Sequence, residues 1–253
     1  TYEFTSSVVR PTSPHEMFLW RDPADAGRLL IFLATPPSAP AFQVIDASDP
    51  SAPTLLASWD PIRDGGLPGP VGNDNILHSV SVSDDGRTGY FSHQNDGLVL
   101  VDLGDVVDGV VEPAITMLTP PEASADWAPP EPAGPHSAVP VPGRDLLVVT
   151  DEVYPKPFGA GCPYGWMRLV DTSDPAAPTV VGEHKLAENA PGACPGDPRV
   201  TFTAHNATAT EHLALVSWHA AGLRAIDITD PTAPVGLAAF SPVPVAEVDT
   251  EDP

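Results

Sequence analysis

Apolar residues fall along this chain in short runs of four to six, and the runs come in pairs separated by turn chemistry. FQVIDASDPSAPTLLASW from Phe42, MRLVDTSDPAAPTVVGEH from Met167 and LRAIDITDPTAPVGLAAF from Leu223 align without gaps. LVLVDLGDVVDGVVEPAITML from Leu98 keeps the first run and lengthens the turn. In each copy an apolar run ends at an aspartate, Asp46, Asp102, Asp171 or Asp227, spaced 56, 69 and 56 residues apart. In three of them S/T-D-P-x-x-P follows, and Asp and Pro favour a turn. Two β-rich runs around such a turn predict a hairpin. Pro53, Pro178 and Pro234 open the second strand, where a missing N–H is tolerated on an edge.

A second pair of runs precedes each hairpin. HSVSVS and TGYFSH flank Asp84-Asp85-Gly86-Arg87, HSAVPV and LLVVTDE flank Pro142-Gly143-Arg144, and HNATAT leads to LALVSWH. HEMFLW leads to LLIFLAT through Asp22-Pro23 to Gly27. Four strands in each of four units predict an all-β β-propeller of four-stranded antiparallel blades, or a four-blade piece of a larger one. The blades are expected at about 14–60, 76–119, 135–186 and 203–242 within a single domain, 1–253. A β-sandwich of similar strand count does not predict a motif that recurs at this spacing.

Composition changes this picture little. The 33 prolines and 20 glycines exclude long helices, and no apolar run approaches the ~18–20 residues of a transmembrane helix. With 34 acidic and 11 basic residues the net charge is −23. Such a surface repels phosphate backbones and disfavours nucleic acid as a partner. No CxxC occurs, which argues against a zinc ribbon. Cys162 and Cys194 sit in Gly/Pro-rich loops, where a disulfide in an oxidising compartment or two free thiols are both admissible. Walker, GxSxG, HExxH and GxGxxG patterns are absent.

FQVID, LVLVD, MRLVD and LRAID, with the S/T-D-P-x-x-P turns, resemble the LVIVD repeat of bacterial β-propellers, over about Pro14 to Pro242. TDEVY, GCPYGWMRLVD and AHNATATEHLALVSWHAAGLRAID resemble a secreted branch of that family. The resemblance implies an extracytoplasmic protein of uncharacterised role whose family members usually run longer. The second unit departs from the pattern, because Gly104-Asp105-Val106 replaces the usual DP turn.

Each innermost strand begins with histidine: His15, His78, His136 and His205, at spacings of 63, 58 and 69 residues. In a propeller these positions face the central channel, so the four imidazoles are expected to converge. The second strand returns to the same rim, carrying His93, Asp151 with Glu152, and His219; Glu16 follows His15 directly. Three readings compete. The rings hold one transition metal, Fe, Cu or Zn, with the carboxylates and outer histidines behind them. They bond loop carbonyls and lock each blade to the next. Or they recognise a small anionic or polar ligand. The corresponding functions are a propeller that binds a small molecule or protein at its channel face, and a metalloenzyme of oxidative or hydrolytic type. His184 and His212 fall off this register and are expected in solvent. The four repeat aspartates are expected to cap turns, and Trp20, Trp59 and Trp218 to pack between blades.

Overall fold

The computed structural model describes residues 14–36, 40–67, 76–121, 134–153, 162–190, 192–193 and 200–242. Sixteen strands form four antiparallel four-stranded sheets, each from four consecutive strands. Blade one contains β1 (Glu16–Arg21), β2 (Leu29–Ala34), β3 (Phe42–Asp46) and β4 (Thr54–Trp59). Blade two contains β5 (Ser79–Val82), β6 (Thr88–His93), β7 (Gly97–Asp102) and β8 (Thr116–Met117). Blade three contains β9 (Pro135–Pro140), β10 (Leu146–Asp151), β11 (Met167–Asp171) and β12 (Thr179–His184). Blade four contains β13 (Ala204–Ala209), β14 (Leu213–Trp218), β15 (Gly222–Asp227) and β16 (Val235–Phe240). The innermost strands follow one another in contact, β1 on β5, β5 on β9 and β9 on β13.

Alternation along each strand builds the core, because successive side chains point to opposite sheet faces. One face of blade one supplies Leu30, Phe32, Phe42 and Val44; the facing side of blade two supplies Val80, Val82, Phe91, Val99 and Val101. The Phe42 and Phe91 rings meet across that boundary at 4.5 Å. The same division recurs between blades two and three, where Leu98 and Leu100 meet Ala138, Leu147 and Val170. Between blades three and four, Met167 and Leu169 meet Val216 and Ile226.

The repeat aspartates cap turns. Oδ1 of Asp46, Asp102, Asp171 and Asp227 accepts the N–H two residues on, from Ser48, Gly104, Ser173 and Thr229, at 2.7–2.8 Å. In blade two the missing DP turn is replaced by one helical turn, α1 (Gly104–Val107), and the outer strand shrinks to two residues. Trp20, Trp59 and Trp218 are buried. Trp20 Nε1 donates to the Asp84 carbonyl of blade two at 3.0 Å. Gly86 lies beneath that indole at φ +75°, where a Cβ would approach the ring to 2.7 Å, so the turn requires glycine. His212 is exposed as expected, with its side chain 62 % accessible. His184 is not in solvent: it is half-buried against Trp218 of blade four, ring centroids 6.2 Å apart, and burial lowers its pKa. The outer end of a blade is covered by its neighbour, a contact that strand periodicity does not report.

Candidate metal centre

Antiparallel pairing brings the start of each inner strand to the end of the second. Glu16 lies opposite Ala34, Ser79 opposite Ser92, Ser137 opposite Thr150, and Ala204 opposite Trp218. His15 and His78 immediately precede β1 and β5, while His136 and His205 are the second residues of β9 and β13. Successive blades therefore set the four imidazoles side by side. The ring centroids of His15 and His78 are 4.3 Å apart, those of His78 and His136 4.1 Å, and those of His136 and His205 4.1 Å. His219 adds a fifth ring, 5.1 Å from His205. His15 Nε2 and His78 Nε2 share a hydrogen bond of 2.8 Å.

Glu152 sits among these rings with its side chain 8 % exposed. Its carboxylate lies 3.6 Å from His136 Nε2, 3.5 Å from His205 Nε2 and 2.8 Å from His219 Nε2. Donors around one tetrahedral ion at ~2.0–2.2 Å stand roughly 3.3–3.6 Å apart. The two longer separations match that spacing, and the shortest is a hydrogen bond. Among the described residues, two groups have ligand atoms within 4.8 Å of one another: His136, Glu152 and His205, and Glu16, His78 and His136. Glu152 thus stands among the candidate ligands, closer to the centre than a supporting residue, and His15 touches the cluster through His78.

Electrostatics keep these rings in the ligand form. Burial pushes the His78 pKa down to about 4 and the His136 pKa down to about 3; neighbouring imidazoles push the same way and Glu152 opposes them. Burial also lowers His205. Each is neutral near pH 7, and neutral imidazole is what a metal binds. Burial, with Glu152 nearby, pushes Glu16 up to about 7.

The blade-locking role falls largely to hydroxyls. Ser79 Oγ donates to the His136 carbonyl and Ser81 Oγ to the Ala138 carbonyl. Ser137 Oγ and Thr150 Oγ1 both reach the His205 carbonyl. The histidine backbones receive these bonds while their rings turn to one another; the His78 ring also feels a backbone carbonyl, that of His136. His136 Nδ1 is buried without a hydrogen-bond partner, so that ring is oriented from its Nε2 side.

The remaining rim residues have other partners. His93 is buried and its Nδ1 lies 3.2 Å from Asp96. Asp151 is fully buried and accepts from Arg168 Nε at 2.7 Å. Sequence reasoning placed both at the rim but missed Asp96 and Arg168, as well as the serines. The serines carried a legible signal, since Ser follows His in both HSV and HSA. Cys162 is not a free thiol, and Cys194 lies outside the described residues. No helix among the described residues is long and apolar enough to cross a membrane.

The LVIVD repeat model matches residues 40–60. Among solved structures, the chain is similar to Chaetomium thermophilum Sqt1 bound to the N-terminus of the ribosomal protein L10. The TM-score is 0.48 at 12 % identity, over 84 % of this chain and 45 % of that one. It is also similar to dihydro-heme d1 dehydrogenase NirN in complex with DHE, with a TM-score of 0.46 at 15 % identity, over 90 % of this chain and 37 % of that one. This chain therefore spans less than half the length of either. No curated protein matches it.

Proposed function

Taking the chain as a β-propeller that carries the LVIVD repeat, we propose that it binds one divalent transition metal ion at the channel mouth. His136, His205 and Glu152 are the ligands, and the ion presents an open position to a small polar ligand. The observation that carries this reading is the approach of His136 and His205 to one buried carboxylate at 3.5–3.6 Å. Two imidazoles and a carboxylate suit Zn or Fe, and Cu is the competitor that binds nitrogen-rich sites tightest. The bound ion would act as a Lewis acid. His219, hydrogen-bonded to Glu152, orients the carboxylate and can take or return a proton there. Hydrolytic or oxidative chemistry on the bound ligand is the enzymatic form of the same proposal. A disulfide between Cys162 and Cys194, and with it an extracytoplasmic location, belongs to this reading because Cys162 is not a free thiol.

The test is metal analysis of protein prepared without chelators, followed by titration with Co(II) and Zn(II). One ion per chain is expected, with the intense visible bands of four-coordinate Co(II). Glu152→Gln should weaken binding while leaving the circular dichroism of the sheets intact. Sub-stoichiometric metal with no saturable Co(II) spectrum would overturn the proposal and leave a metal-free pocket for a polar ligand.

A further inference from the structure

The ion placed on His136, His205 and Glu152 uses one of two overlapping groups of ligand atoms. The other group, Glu16, His78 and His136, also brings its atoms within 4.8 Å of one another. It is drawn from three blades: Glu16 opens β1, His78 precedes β5 and His136 lies in β9. Both imidazoles are buried, His78 7 % and His136 2 % exposed, and Glu16 is half-buried. The two groups share only His136, and that ring has two nitrogens. Nε2 lies 3.6 Å from Glu152 and serves the first ion. Nδ1 is buried and has no hydrogen-bond partner among the described residues. A ligating histidine ordinarily donates from its second nitrogen to a carboxylate, a carbonyl or water. No carboxylate or carbonyl of the described residues takes that place at His136.

We propose that a second divalent transition metal ion binds beside the first, held by Glu16, His78 and Nδ1 of His136, so that the His136 ring bridges the two ions. The proposal rests on the first site, because Nδ1 falls to a second ion only when Nε2 holds the first. Carboxylate and imidazole donors suit Zn or Cu. His15 Nε2 stands 2.8 Å from His78 Nε2. It can complete four ligands once the proton the two rings share moves to the far nitrogen of its own ring. To become the bridge, His136 releases its ring proton to solvent. Removing that proton makes the second ion the weaker, so protein as prepared carries one. The ligands come from blades one to three and are the same whatever flanks those blades.

Titration of the full chain with Cu(II) tests this at about pH 8, above the value of about 7 to which burial pushes Glu16. Two saturable steps are expected. The first equivalent should bring in the electron paramagnetic resonance signal of an isolated Cu(II) ion. The second should extinguish it at low temperature, because an imidazolate bridge couples the two unpaired electrons. Glu16→Gln should keep the first step and weaken the second by at least about 100-fold. A titration that stops at one equivalent would overturn the second site, leave the first in place, and assign Nδ1 to a buried water. Two equivalents with an undiminished signal would overturn the bridge. A second step unchanged in Glu16→Gln would put that ion elsewhere and overturn the proposal as well. Failure of the first site is distinct, because no saturable step would then appear at all, and both sites would fall together.

Discussion

Each blade carries one recurrent titratable residue at either end of its sheet, and the two ends use theirs in opposite ways. At the turn end, Asp46, Asp102, Asp171 and Asp227 each accept the N–H two residues ahead in their own blade. At the channel end, the rings of His15, His78, His136 and His205 meet one another across blade boundaries. A repeated side chain satisfied within its own unit is part of the unit's fold. A repeated side chain that meets its counterparts creates an environment that no single unit has. Here that environment is five clustered imidazoles and a buried carboxylate, with three of the rings held neutral by burial.

Asp151 tests that distinction most severely, because it lies at the channel end but pairs with Arg168 inside blade three. Arg168→Met should remove an ion-pair partner of a fully buried carboxylate and cost ~3–5 kcal/mol. Urea denaturation measures this. A loss under about 1 kcal/mol would mean that Asp151 is held from outside its blade and belongs with the site. The next largest effect concerns the shared ring. Loss of an outer partner of a metal ligand weakens binding ~10–100-fold, so His136→Ala should weaken Zn(II) by at least about 100-fold. Calorimetric titration checks it; unchanged affinity would return the imidazoles to a structural role.

Much of this architecture was legible because hydrophobic alternation and the Asp-Pro turns act locally. The Asp caps, the blade boundaries and the placement of His15, His78, His136 and His205 all follow from register within one unit. What was not legible is how units meet. Nothing in TDEVY distinguishes Asp151, which is taken by Arg168, from Glu152, which is surrounded by histidines; one residue of strand alternation separates them. The outer strand that carries His184 predicts a solvated ring, yet blade four covers it. Contacts between blades depend on which side chain a neighbouring sheet presents, and that information lies some sixty residues away.

Acid stability compares the ends under one variable. In metal-free protein the native His78 and His136 rings stay uncharged down to about 4 and about 3. The unfolded rings take up protons near 6.5. The unfolded state therefore binds more protons below that value, and stability declines as the pH falls from about 6.5 toward 4, at up to about 1.4 kcal/mol per pH unit for each ring. Glu16 acts with the opposite sign. Its native carboxyl keeps a proton up to about 7, so its contribution is present below the unfolded value and is lost as the pH rises through 7. Urea midpoints from pH 4 to 8 should pass through a maximum. His136→Gln should flatten the acid side, and Glu16→Gln the alkaline side. A monotonic profile unaffected by either variant would mean that the cluster is hydrated.

The smallest effect is expected at the turn end. Asp171→Ala removes the bond from the Ser173 N–H at 2.8 Å, on a partly exposed turn, and should cost about 1 kcal/mol. Zn(II) affinity should not change, because the loss is confined to one blade's own backbone. Denaturation and metal titration on the same variant separate the two readouts. If Asp171→Ala weakened the metal as His136→Ala does, the two ends of the sheet would be mechanically coupled. The site would then depend on the angle at which whole blades meet, and could not be assigned to the few side chains that touch the ion.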